Sequence, residues 1–261
     1  MAVEGLLFTK EEGIATITFN RPERLNAVTE AMRTEVHRIA TELRGDDEVK
    51  VLVITGAGEA FSSGADASEL TADYSGPIEP YILKRPFGWW ILPVRYFPKP
   101  TIAAIPGVVA GTTYSLALAC DFRIASEKAK FSMVFIKRGL VPDGGATYYL
   151  PRIVGTSKAL ELMFSGDVID AKEAERLGLV NRVVPHDELM NATRELASRI
   201  AKGPSVAIDL IKRGVYKGVV GDLEAQLDFE TLAQRICFQT EDFQEGITAF
   251  LEKREPKFKG R

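Results

Sequence analysis

Ala103–Pro151 reads AAIPGVVAGTTYSLALACDFRIASEKAKFSMVFIKRGLVPDGGATYYLP. Thr101–Ile105, at its leading edge, is a short apolar run of the kind that forms a strand buried on both faces. Pro106-Gly107 turns the chain into a helix over Gly111–Ala119. Phe122–Ala125 and Ala129–Ser132 read as a pair of short strands, and Val141–Thr147 opens a second Gly-rich helix start, running on to about Ile153. A helix start carries unpaired N–H groups and a partial positive charge. Thr112 therefore offers a backbone N–H to a developing oxyanion, and Asp143 offers a carboxylate for proton transfer at a shared site. Taken alone, Asp143 is better read as a helix N-cap before Gly144-Gly145-Ala146.

Upstream, Leu6–Lys10 and Ile14–Asn20 alternate as a hairpin around Glu11-Glu12-Gly13. Thr29 starts a helix to about Leu43 with Met32, Val36, Ile39 and Leu43 on one face. Val51–Thr55 is a buried strand, and Asp66 and Glu69 have the spacing of a capping box. Residues 71–100 are the most aromatic stretch, with Tyr74, Tyr81, Phe87, Trp89, Trp90, Tyr96 and Phe97; they read as a helix on the core or as the wall of an apolar pocket. Downstream come a helix at Ser157–Phe164, a short one stopped at Gly178, a strand at Asn181–Val184, and helices at about 187–202, 204–218, 222–237 and 241–253. Strands alternate with helices first, and helices alone come after. That order predicts a stacked α/β core over 1–200 and a helical C-terminal region over 201–261.

With 46% hydrophobic and 26% charged residues, the 261-residue chain has the balance of a globular protein. A net charge of −3 gives no general attraction to nucleic acid or anionic membrane. No apolar run approaches the roughly 20 residues of a membrane span, and Met1–Gly13 lacks the pattern of a secretory signal. Cys120 and Cys237 read as buried thiols, which fits a cytoplasmic location. His37 and His186 have no ligand spacing, so no metal site or histidine triad is expected. Dinucleotide, P-loop and nucleophile-elbow motifs are missing from the sequence.

Four segments together are specific. Asn20-Arg21-Pro22…Leu25-Asn26-Ala27, Phe61–Asp66, Ala103–Gly107…Gly111 and Gly139–Gly145 occur in this order, joined by Gly166–Val184 and Phe250–Arg254. Over residues 5 to 258 the chain thereby resembles the crotonase (enoyl-CoA hydratase/isomerase) superfamily. The resemblance implies a spiral of ββα units, an acyl-CoA thioester substrate, no cofactor beyond the CoA of that substrate, and a homotrimer or dimer of trimers through the helical region. It implies an oxyanion hole from the N–H groups of Ala65 and Thr112. It places CoA along Arg24, Leu25, Ser63 and Ala65, with Phe250 and Lys253 reaching a neighbouring subunit's CoA. Arg24 and Lys253 carry the charge that phosphates need. Trp89, Trp90, Met133 and Phe135 are candidates for the acyl pocket.

The departures narrow the chemistry. Hydratases of the superfamily carry two glutamates at the positions that here are Ser115 and Phe135. Phe135 transfers no proton, and an unassisted Ser115 hydroxyl is a poor base near neutrality. Asp143 is left, in a Gly-Leu-Val-Pro-Asp-Gly-Gly segment that most resembles the single-aspartate enoyl-CoA isomerases. The expectation is a Δ3 to Δ2 double-bond shift. The alternatives are a hydratase using Asp143 and a water, an aspartate-nucleophile aromatic acyl-CoA dehalogenase, and a non-catalytic acyl-CoA-binding protein. The dehalogenase reading is weakened because residues 71–100 contain no histidine.

Overall fold

Val51 and Val53 face one apolar core while Leu52 and Ile54, alternating with them, face another. Ile102 and Ala104 against Ala103 and Ile105 repeat the pattern one strand over. This is the period-two pleat of a sheet covered on both faces, and it explains why these strands read as unbroken apolar runs. The computed structural model describes residues 3–71 and 88–261. Tyr74, Tyr81 and Phe87 of the expected aromatic wall lie outside the described residues.

The strands are β1 Leu6–Glu11, β2 Ile14–Phe19, β3 Val51–Gly56, β4 Ala60–Ser62, β5 Thr101–Ile105, β6 Val108–Ala110, β7 Phe122–Ser126, β8 Lys130–Ser132, β9 Ile169–Asp170 and β10 Arg182–Val184. The α-helices are α1 Glu30–Glu42, α2 Leu92–Arg95, α3 Gly111–Ala119, α4 Ala146–Val154, α5 Thr156–Ser165, α6 Ala171–Arg176, α7 Leu189–Ala201, α8 Ser205–Gly218, α9 Leu223–Cys237 and α10 Glu241–Glu252. One sheet runs β1-β2-β3-β5-β7-β10 and a second runs β4-β6-β8-β9. Among the described residues, only β1 in the first sheet and β9 in the second pair antiparallel.

Three successive units therefore repeat one path. A long strand enters the first sheet (β3, β5, β7), a short one enters the second (β4, β6, β8), and a helical segment comes next at Ala67–Thr71, α3 and Val134–Arg138. This is the mixed α/β spiral of ββα units expected. The expected pairing of Phe122–Ala125 with Ala129–Ser132 is not observed: β7 pairs with β5 and β10, whereas β8 pairs with β6 and β9. A short connection between two strands usually implies a hairpin, but here the chain changes sheet.

Helix α7 covers the outer face of the first sheet through Leu189, Ala192 and Ala197. Beyond it, α8–α10 bury little on the protomer: Gly214 in α8, nothing in α9, and Asp242 and Ala249 in α10. No described helix is long and apolar enough to cross a membrane.

Candidate active site

The second sheet decides where the site lies. Strands β4, β6 and β8 are parallel neighbours, so their C-terminal ends emerge side by side. Ser63-Gly64-Ala65, Gly111-Thr112 and Met133–Phe135 lead away from these three ends. Ligands of parallel sheets commonly bind beyond such carboxyl ends.

The first two ends are in close contact. A Cβ on Gly64 would stand 3.1 Å from the Ala110 carbonyl oxygen and 3.6 Å from Gly111 Cα. The Thr113 hydroxyl fastens them together, lying 2.9 Å from the Ala110 oxygen and 3.2 Å from the Ser62 oxygen. Ala65 forms a parallel bridge with Val28 in which Gly64 accepts from the Val28 N–H and Asp66 donates to the Val28 oxygen. The bonds of such a bridge use Ala65's neighbours, so Ala65's own N–H points to the opposite side. Thr112 is the second residue of α3, where N–H groups have no partner within the helix. Gly111 has φ +57°, the left-handed conformation that lets the chain turn from β6 into α3. Two N–H donors with no backbone partner among the described residues are thus carried on adjoining strand ends.

Asp143 is brought in from the third direction. Its side chain is half-buried, and its Oδ1 is fully buried with no hydrogen-bond partner among the described residues. It does not cap α4, whose N-cap is Gly145 without a side-chain bond, so the capping alternative fails. Burial pushes its carboxyl above the ordinary range; the Thr112 hydroxyl, and then the charge of Arg33, pull it partly back. Thr112 and the Asp143 carboxyl are therefore neighbours. The turn is held by Ser115, whose hydroxyl donates to the Asp143 carbonyl oxygen at 2.8 Å. Gly144, at φ +63°, allows the approach, since a Cβ there would come within 2.8 Å of both Ser115 Cβ and Ile91 Cδ1.

The loop before α1 borders the same edge. Leu25 and Asn26 both have positive φ, at 48° and 55°. Asn26 is fully buried; its Oδ1 accepts from the Arg21 N–H at 2.8 Å, and its Nδ2 donates to the Ala57 and Ala60 oxygens at 2.8 and 2.6 Å. Ser63 N donates to the Leu25 oxygen at 2.9 Å, which ties the loop to the end of β4. Asp66 pairs with Arg21 at 2.7 Å, and that hydrogen bond above all holds its carboxyl at about 2. The expected capping box is not formed. Glu69 instead accepts from the Glu30 N–H at the start of α1 and pairs with Arg33 at 3.1 Å. A longer-range helix start outcompetes the local one.

Of the candidate residues, Ala65 and Thr112 lie on adjoining strand ends and the Asp143 carboxyl is near Thr112, with Leu25 and Ser63 on the bordering loop and Phe135 beside Gly111. Arg24 is exposed on that loop. Trp90 and Met133 lie within the hydrophobic core, and Trp89 packs against it with its ring 4.5 Å from that of His37. Phe250 is 80% exposed, and Lys253 is an exposed cation at the end of α10. Sequence reading missed the positioning roles of Asn26, Thr113 and Ser115. The left-handed pair at 25–26 leaves no composition signal, and a threonine or serine inside a helix usually bonds its own turn.

Among the described residues no cluster could hold a metal ion. Both cysteines are free; Cys120 is buried, with its thiol pushed up to about 12, and Cys237 is half-buried.

N–H donors on adjoining parallel strand ends, with a half-buried carboxyl near one of them, are the kind of groups an enzyme uses to hold an oxyanion and carry a proton. The enoyl-CoA hydratase/isomerase family matches residues 9–261, and the chain belongs to that family, within the crotonase superfamily. It is 36% identical to the 1,2-epoxyphenylacetyl-CoA isomerase of Escherichia coli, over 99% of this chain and 100% of that one. It is 38% identical to the short-chain-enoyl-CoA hydratase of Clostridium acetobutylicum, over 100% of each. The crystal structure of an enoyl-CoA hydratase from Bacillus anthracis superposes with a TM-score of 0.92 at 33% identity, covering 99% of this chain and 100% of that one.

Proposed function

We propose that the protein shifts the double bond of an enoyl-CoA from Δ3 to Δ2, with Asp143 as the proton carrier. The buried, unpaired Oδ1 of Asp143 beside Thr112 carries this reading. The Asp143 carboxylate takes a proton from C2 of the 3-enoyl thioester. The electron pair moves onto the thioester oxygen, giving a dienolate held by the N–H groups of Ala65 and Thr112. Asp143 then returns the proton to C4 as the pair moves back, leaving the bond between C2 and C3. One carboxylate suffices, and no dissociable cofactor is needed.

Hydration needs a second group to activate water. The Ser115 hydroxyl is committed to the Asp143 carbonyl, and Phe135 is a hydrocarbon ring. The hydratase names of many relatives support the second reading, addition of water through Asp143 alone. Arg24, Leu25, Ser63 and Ala65 hold CoA on this account, while Trp89 and Phe135 border the acyl group. Ile211, Val215, Leu223, Leu227 and Leu232 are all exposed on the protomer, which supports assembly into a trimer or dimer of trimers through α8 and α9. Phe250 and Lys253 then close a neighbour's CoA site.

Incubation with trans-3-hexenoyl-CoA and, separately, trans-2-hexenoyl-CoA tests the reading. The first substrate is expected to gain the conjugated-thioester absorbance. Loss of that absorbance from the second, with no reaction of the first, would establish hydration instead.

A further inference from the structure

On the other side of the Asp143 turn, α2, the start of α4 and α8 enclose a cavity of about 710 Å³. That size lies within the roughly 300–1,000 Å³ of small-molecule sites. Five cations line it: Arg44, Arg95, Lys212, Arg213 and Lys217. Arg213 is paired with Asp209 at 2.7 Å, and Lys212 with Asp121 at 2.7 Å. Among the described residues Arg44 hydrogen-bonds only to the Tyr96 backbone oxygen, and Lys217 only to that of Ala225, with its ammonium 5.3 Å from the Phe229 ring centroid. Three of the five positive charges therefore have no carboxylate among the described residues.

Arg95 is the informative one. Its guanidinium carbon lies 3.3 Å from the centroid of the Tyr216 ring and 5.2 Å from that of Tyr149. Tyr216 is fixed from behind by its hydrogen bond to Asp121. Arg95 makes no hydrogen bond or ion pair with the described residues, so its planar fork of five N–H donors is open on a rigid aromatic platform. That fork matches a carboxylate. Asp209, paired with Arg213, is the one carboxylate on the described wall; much of the remainder is apolar or aromatic, including Leu92, Phe97, Tyr148 and Val220.

We propose that this cavity binds a carboxylate attached to an apolar body, with Arg95 as its anchor. The carboxylate has two chemical sources: a free organic acid, or the far end of an acyl group whose thioester sits at Ala65 and Thr112. Gly145, two residues beyond Asp143, is on the cavity wall. The proposal does not depend on the role given to Asp143.

Calorimetric titration of the full chain with octanoate and benzoate tests it. Saturable binding is expected, weakened at least tenfold in Arg95→Met, which keeps the apolar stem, and by less in Arg95→Lys, which keeps the charge without the fork. Binding by Asp143→Asn is expected to match wild type, so failure here is separable from failure of the proposed reaction. Displacement of octanoate by adipoyl-CoA but not by CoA identifies the acyl end as the source; displacement by neither identifies a free acid. Absence of saturable binding, equal affinity in wild type and both variants, or equal binding of inorganic phosphate would overturn the proposal.

Discussion

Replacing Asn26 with alanine removes three side-chain bonds from a fully buried position. The Arg21 N–H loses its acceptor, and a buried unsatisfied donor costs about 1–3 kcal/mol. The two carbonyls retain a second lone pair, so each loses about 0.5–1.5 kcal/mol. Position 26 also sits at φ +55°, which asparagine tolerates better than alanine by about 1 kcal/mol. The combined loss is about 5 kcal/mol, a large share of the roughly 5–15 kcal/mol that holds a typical protein together. Urea denaturation followed by fluorescence reads it, and Asn26→Asp separates the parts. Aspartate keeps the acceptor for Arg21 but sets a carboxylate against two carbonyl oxygens, so it is expected to be no better than alanine. The Leu25 carbonyl that receives the Ser63 N–H is displaced with the loop, so KM for the thioester is expected to rise in the fraction that folds. A stability loss below about 1 kcal/mol would refute the view that Asn26 holds this loop in its left-handed conformation.

Thr112→Pro deletes one proposed oxyanion donor in the first turn of α3, where helices accept proline; kcat is expected to fall about 10²–10³-fold with little change in the melting temperature, and unchanged kcat would remove Thr112 from the site. Because the Asp143 carboxyl is raised in the folded chain, the acidic limb of kcat/KM is expected to lie above the ordinary aspartate value of about 3.9. The same shift means that the native state binds this proton more tightly than the unfolded state, so the contribution to stability is lost as pH rises through the folded value. Asp143→Asn is therefore expected to be more stable than wild type at neutral pH, with the advantage vanishing in acid, as denaturation at the two pH values would show. Gly144→Ala combines positive φ with two 2.8 Å contacts, and a loss of about 2–4 kcal/mol is expected by thermal or chemical unfolding.

Long elements were legible in the sequence because period and capping act locally. The C-terminal helices fall within two residues of their expected bounds, and Thr29 caps α1 through the Met32 N–H as its position suggested. The short strands β4 and β6 were not legible. Three residues give no period, and their identity as strands comes from neighbours far away in the chain. The same limit hid the sheet change between β7 and β8. Thr112 and Asp143 stand out as helix starts, but with Ala65 they gain weight as candidates only through the combined segments, because each alone has an ordinary structural reading. Trp90 shows the converse: an aromatic residue in an aromatic stretch suggested a pocket, but it packs in the core.

The most direct test of the account is exchange at C2 of a bound 3-enoyl-CoA in deuterium oxide, compared between wild type and Asp143→Asn. The amide keeps the size of the carboxyl but cannot accept the proton. Wild type is expected to move the double bond, with label entering C2 or C4 whenever the proton on Asp143 exchanges with solvent before its return. Asp143→Asn is expected to bind the thioester with similar affinity and to lose migration and exchange by at least about 10³-fold, of the order that a positioned acid–base group supplies. Migration at the wild-type rate in Asp143→Asn would contradict the account.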